Sequence, residues 1–193
     1  MLNIHDIIKK SRVNGHGTRY TIWVQGCDRR CPECFNPGTH SHNPNKVIDV
    51  RALIQDVLNT PGIDGITLSG GEPLLQAKEL SILAKAVQGA GLTVMIFTGY
   101  SKMPSNPDVQ KLLRYTDMVI AGKFDPTKPS KVPLIGSSNQ RVIRPNNSKR
   151  IPNPLTDTTI PRSEVQRDGK KLRLIGFPTK EEAESFKARF GGE

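Results

Sequence analysis

Cys27, Cys31 and Cys34 are the only cysteines in the chain, and they fall within eight residues of one another. An odd, clustered set is a poor disulfide framework and a good set of metal ligands. The spacing Cys-x3-Cys-x2-Cys puts three thiolates on one tight loop, stiffened by Pro32 and Pro37. Three thiolates can hold three irons of a cubane. The fourth iron then keeps open coordination positions, which a catalytic metal centre needs and a structural one avoids. With no further cysteine, no second cysteine-ligated cluster can form. The competing chemistry is a single zinc ion with His40 or His42 as fourth ligand. Zinc modules of that composition bind RNA, and this chain is basic. Three ordinary buried cysteines fit poorly, because the residues between them are charged.

A second motif, Ser69-Gly70-Gly71-Glu72-Pro73, follows a short apolar run and precedes a helical pattern. Glycines at such a turn let backbone amides and carbonyls approach a ligand closely, and Glu72 offers an acceptor to an ammonium group. Taken alone, the turn could be a plain βα loop. Placed on the strand after the cysteine loop, it makes a specific combination.

The elements that must carry these motifs can be read from periodicity. Tyr20 to Gln25 is a buried strand running into the cysteines. Gly65 to Leu68, Thr93 to Phe97 and Asp117 to Ala121 read as further strands, with a fifth at Gln140 to Ile143. Between them lie three amphipathic helical patterns. Asp49 caps the first, which Thr60-Pro61-Gly62 ends; the second carries Leu80, Leu83, Ala84 and Val87; the third opens with Asn106-Pro107. Such alternation predicts parallel βα units, with chemistry at the carboxyl ends of the strands. Every candidate cluster lies just past a strand end. At 193 residues the chain is shorter than the roughly 250 of a complete eight-unit barrel. The expected fold is therefore α/β, a parallel sheet or an incomplete TIM-type barrel over residues 1–144, followed by a basic extension at 145–193. In that extension, residues 145–169 read as a loop, Leu172 to Phe177 as a strand, and Thr179 with Glu182 as the capping box of a last helix. Phe186 and Phe190 are that helix's apolar residues. Trp23 and Phe97 read as core, Arg19 as solvated and His16 as a turn residue.

The chain carries 28 Lys and Arg against 18 Asp and Glu, a net charge of +10. Residues 141–173 hold nine basic and three acidic residues, so much of the excess sits there. That charge suggests an acidic or phosphate-bearing partner or simply a solvated face. An aromatic content of 5% argues against a broad stacking platform for nucleic acid. No apolar run approaches the roughly 18–20 residues that span a bilayer, and the N-terminus lacks a signal-peptide core. Reduced, clustered cysteines then point to the cytoplasm, with no membrane partner.

These motifs carry a family resemblance. The chain resembles the radical S-adenosylmethionine (SAM) enzymes, above all the activating enzymes of anaerobic (class III) ribonucleotide reductase, and is similar to pyruvate formate-lyase activating enzymes. The matching stretches are VNGHGTR (13–19), WVQGCDRRCPECFN (23–36), LSGGEPL (68–74), FTGY (97–100), AGKF (121–124) and GSSNQ (136–140). The resemblance implies one [4Fe–4S] cluster on Cys27, Cys31 and Cys34, with SAM chelating the open iron. Gly70, Gly71 and Glu72 would hold the SAM amino group. Thr98 and Gly99 would lie near its ribose or methionine part, and Lys123 would pair with its carboxylate. Asn139 and Gln140 would sit at the last strand of the site, and the backbone around Glu33, Cys34 and Phe35 would meet the adenine. Many superfamily members carry an aromatic residue where this chain has Glu33. The resemblance further implies an electron donor such as flavodoxin or ferredoxin. The hydrogen-atom donor would be a large glycyl-radical enzyme. The alternative is a stand-alone radical SAM enzyme acting on a peptide, nucleotide or other small substrate.

Overall fold

The computed structural model describes residues 1–157, 159–169 and 171–191. In chain order its regular elements are β1 (Leu2–Ser11), β2 (Arg19–Val24), β3 (Lys46–Ile48), α1 (Val50–Leu58), β4 (Gly65–Gly70), α2 (Ala77–Gly89), β5 (Thr93–Thr98), α3 (Pro107–Arg114), β6 (Met118–Ala121), β7 (Arg141–Ile143), β8 (Ser163–Asp168), β9 (Lys171–Gly176) and α4 (Lys180–Phe190). Among the described residues, no helix is long and apolar enough to cross a membrane.

Seven strands form one sheet in the order β3-β1-β2-β4-β5-β6-β7. The fold is mixed α/β with a mostly parallel centre. β2, β4, β5 and β6 pair in parallel, and each parallel step is bridged by one of α1, α2 and α3. Two of these helices, α1 and α3, start where the capping residues predict. Asp49 accepts from the amides of Arg51 and Ala52, and Asn106 from those of Asp108 and Val109. Strand alternation then sorts side chains between two cores. Val94, Ile96, Val119 and Ala121 face the helices, with Leu53, Leu80, Leu83 and Leu112. Met95, Met118 and Ile120 face the other way, where Leu134, Ile135, Ile151 and Ile160 cover them.

The structure corrects two expectations and adds a strand. First, the expected fifth strand exists as β7, but it pairs antiparallel to β6, Ala121 opposite Arg141; a return of that kind needs no crossover helix. Second, β1 was not foreseen. It lies antiparallel to both β2 and β3. Its register shifts between Ile4 and Asp6 and again between Ile8 and Ser11. Bulges of this sort break the alternation by which a strand is recognised. Third, Arg19 is buried rather than solvated, at 1% exposure. Its guanidinium donates to Thr67 Oγ1, Thr93 Oγ1 and the carbonyls of Ile66 and Thr93, clasping the starts of β4 and β5. Burial lowers its pKa to about 10, with Asp64 and Asp117 opposing that fall.

The stretch expected to be a loop before Leu172 contains β8, which forms an antiparallel hairpin with β9. The hairpin docks on the main sheet. Ile175 packs with Ile8, Val13 and Trp23, the Gln166 side chain donates to Lys10 O at 2.6 Å, and Arg173 pairs with Asp6. His16 Nδ1 meets Asp157 Oδ2 at 2.6 Å, tying the turn before β2 to the segment before the hairpin. α4 begins with the expected capping box of Thr179 and Glu182. Phe186 is buried, whereas Phe190 is 55% exposed. Of the cations expected to form one basic surface, Arg150 is engaged internally, 3.5 Å from the buried Asp117. Lys170 lies outside the described residues.

Candidate functional site

The ends of the four parallel strands meet at one pocket, and backbone contacts set its geometry. Gly26 turns the chain out of β2 with a φ of +100°. The amide of Gly71 donates to Val24 O, and that of Glu72 to Gly26 O, both at 2.8 Å. A Cβ on Gly71 would lie 2.2 Å from Gly26 O. The start of the cysteine loop is thus stitched onto the Gly70–Glu72 turn at a distance that only glycine permits.

Glu72 extends the stitching to the next strand. Its carboxylate is 1% exposed. It accepts from Leu74 N at 3.0 Å, Thr98 Oγ1 at 2.8 Å and Gly99 N at 2.9 Å. Burial pushes its pKa up, and these three donors together with Arg29 pull against that rise. One carboxylate therefore locks the ends of β4 and β5 together.

A cavity of about 110 Å³ opens here. Its lining includes Cys27, Cys31, Cys34, Gly70, Gly71, Glu72, Thr98, Gly99 and Gln140, so the structure gathers most of the residues singled out from the sequence. Gln140 is also a strut: its Oε1 accepts from Gly136 N and Ser137 N, and its Nε2 donates to Gly122 O. Four singled-out residues stand outside this lining. Lys123 and Asn139 are exposed, and Asn139 Nδ2 donates to Lys123 O at 2.8 Å. Glu33 is exposed with a φ of +50°. Phe35 faces a neighbouring cavity of about 380 Å³, which shares Ser69, Phe97, Phe124 and Gln140 with the cysteine pocket.

Trp23 and Phe97 pack against the apolar clusters, as expected, and their half-buried rings also line that larger cavity. Its outer wall is Arg173 to Pro178 of the C-terminal hairpin and the turn after it. Phe177 sits 5.6 Å from the Phe35 ring and 6.1 Å from that of Phe97. Sequence reasoning missed Phe177, because nothing local links residue 177 to residue 35. It also passed over Arg29, whose place between two cysteines was the available signal.

The donor set fits an iron–sulfur cluster. Cys27 Sγ accepts from Arg29 N and Cys34 Sγ from Asn36 N, each at 3.4 Å. Amide donors to sulfur are among the features that tune such clusters. Burial raises both thiols, with backbone amides opposing it and the neighbouring Cys31 adding to it. Two polar atoms of pocket residues, Arg29 Nε and His40 Nε2, are buried with no hydrogen-bond partner among the described residues. Of the proposed zinc ligands, His40 borders the pocket, while the exposed His42 pairs with Asp28 at 2.7 Å.

Comparison with known proteins agrees with this chemistry. Residues 13–143 match the family described as "4Fe-4S single cluster domain". The pyruvate formate-lyase-activating enzyme of Staphylococcus epidermidis is 28% identical over 152 residues, covering 74% of this chain and 61% of that protein. The anaerobic ribonucleoside-triphosphate reductase-activating protein of Enterobacteria phage T4 is 31% identical over 138 residues, 67% of this chain and 86% of its own length. The protein of that name from Escherichia coli K12 is 33% identical over 153 residues, 73% and 97% respectively. The chain thus spans less than two thirds of the Staphylococcus enzyme and nearly all of the Escherichia coli one.

Proposed function

We propose that this chain, which belongs to the 4Fe–4S single cluster domain family and to the radical SAM enzymes that resemble glycyl-radical activases, generates a radical on a partner protein. In this reading Cys27, Cys31 and Cys34 hold one [4Fe–4S] cluster, and SAM binds beside it. Bound together, they supply one-electron reductive cleavage of SAM to methionine and a 5′-deoxyadenosyl radical, which takes a hydrogen atom from the substrate. The substrate is a glycine of a large glycyl-radical enzyme of the anaerobic ribonucleotide reductase type. The electron comes from a flavodoxin or ferredoxin, and the setting is the cytoplasm.

One observation carries the reading. Three cysteines from the loop after β2 share a pocket with Gly70–Glu72 after β4 and with Thr98 and Gly99 at the end of β5. The protein's own residues then have separable tasks. The thiolates bind metal. The glycine turn brings main-chain groups close to a ligand, and Glu72 keeps the two loops in register. Phe97 and Phe124 border the pocket and help exclude water. We read the four parallel strands as part of an incomplete barrel. Residues 1–144 carry the site and residues 145–193 are an extension packed upon it.

Anaerobic reconstitution tests the reading. The protein should take up about four irons and four sulfides per chain, and after reduction should form 5′-deoxyadenosine from SAM. With the right partner, a glycyl radical should appear by electron paramagnetic resonance. Stoichiometric zinc without iron uptake would overturn it. One observation favours the alternative of a stand-alone enzyme acting on a small substrate. The hairpin beyond the family match walls the larger cavity with Arg173 and Phe177. Deoxyadenosine formation driven by a small molecule in the absence of any protein partner would decide for it.

A further inference from the structure

We infer that Arg29 binds the α-carboxylate of the amino-acid end of SAM in the cysteine pocket, an inference that rests on the reading above. Arg29 lies between Cys27 and Cys31 and lines the same cavity as Gly70, Gly71 and Glu72. Two neighbours hold its side chain without neutralising it. Its guanidinium carbon stands 4.1 Å from the centroid of the Tyr100 ring. Its stem packs on Gly99, where a Cβ would come within 2.6 Å of Arg29 Cγ. A stacked guanidinium is fixed in orientation before any ligand arrives.

The hydrogen-bonding account of this residue is incomplete. Arg29 Nε is buried and has no acceptor among the described residues. A buried donor left without a partner is costly, and native structures seldom carry one without a reason. Glu72 shares the pocket and attracts the guanidinium through space, but it accepts from Leu74 N, Thr98 Oγ1 and Gly99 N and not from Arg29, which leaves about one of a carboxylate's four acceptor sites open. A ligand in the cavity would supply the acceptor that Arg29 Nε lacks. Its chemistry follows from the pocket's charges. A guanidinium and a carboxylate lining one small cavity complement a zwitterion, with an ammonium toward Glu72 and a carboxylate toward Arg29. The planar fork of arginine suits a carboxylate in particular. Lys123, the cation assigned this role by resemblance, is exposed and does not border the pocket.

The test uses the iron-loaded protein under anaerobic conditions and two probes, SAM and decarboxylated SAM, whose binding is measured by calorimetry. Arg29→Met should keep its iron and bind SAM about ten- to a hundredfold more weakly, while decarboxylated SAM changes by less than about threefold. Arg29→Gln should behave alike, and Arg29→Lys should fall between. Undiminished SAM affinity in Arg29→Met overturns the inference. So does an equal loss for both probes, which would mean a structural role, or a loss confined to Lys123→Met. Failure of the underlying reading looks different: the unmodified protein would take up no iron, or would bind neither probe.

Discussion

Gly71→Ala is the sharpest probe of how the site is assembled. The added Cβ would sit 2.2 Å from the Gly26 carbonyl oxygen and 2.8 Å from its carbon. Both are backbone atoms, so no side chain can rotate away. Relief to ordinary contact requires the cysteine loop and the Gly70–Glu72 turn to part by about 1 Å, which breaks the Glu72 N to Gly26 O bond. Loss of one such bond costs about 0.5–1.5 kcal/mol, and overpacking of this kind typically totals about 1–3 kcal/mol. For a domain of this size that lowers Tm by about 2–12 °C. The functional effect should exceed the structural one, because an ångström of misplacement at a positioned site can cost about a hundredfold. Thermal unfolding of the metal-free protein measures the first quantity, and SAM binding to the loaded protein the second. A variant with unchanged Tm and unchanged SAM affinity would refute the claim that this contact sets the geometry of the site.

Alanine at any one of Cys27, Cys31 or Cys34 should abolish SAM cleavage, since no spare cysteine exists; undiminished product from any single variant would identify the wrong ligands. Phe177→Ala should destabilise the fold by about 1–3 kcal/mol, below the cost for a fully buried ring. It should also expose Trp23, the single tryptophan, to acrylamide quenching, as expected if the hairpin walls the cavity; unchanged quenching would argue otherwise. Asp6 supplies a pH test. Burial opposes its ionisation, but Arg173 and Lys46 outweigh that, leaving its pKa below the usual value. The pairing therefore stabilises the fold above about pH 4 and is lost as pH falls through the lowered folded value. The Tm gap between wild type and Asp6→Asn should close in acid and be full near neutrality. Neutralising exposed Lys149, Arg162 and Arg167, while keeping the internally engaged Arg150, should leave cluster loading intact and flatten the salt dependence of turnover on an acidic partner.

Local chemistry was legible without the fold. The cysteine spacing, the glycine turn before Glu72, the caps at Asp49, Asn106 and Thr179, and the apolar runs of β2, β4, β5 and β6 are each encoded within a few neighbouring residues. So was the placement of those motifs at strand ends, because a βα unit repeats a short pattern. What stayed hidden depends on partners far along the chain. The strand β1 mixes Asp6, Lys9 and Lys10 among its apolar residues and is bulged, so pairing with β2 on one side and β3 on the other defines it. β8 reads Ser-Glu-Val-Gln-Arg-Asp, and its pairing with β9 makes it a strand. Arg19 looked solvated because no one-dimensional signal reports that four oxygens of β4 and β5 await its guanidinium. The same holds for the pocket itself. The sequence by itself named the thiols and the glycines. Only the tertiary structure brought Arg29 over Tyr100, engaged Glu72 with three donors, left Lys123 at the surface and set Phe177 against Phe35. Burial and contact between distant segments are properties of the packed chain, and a pattern of neighbours carries no record of them.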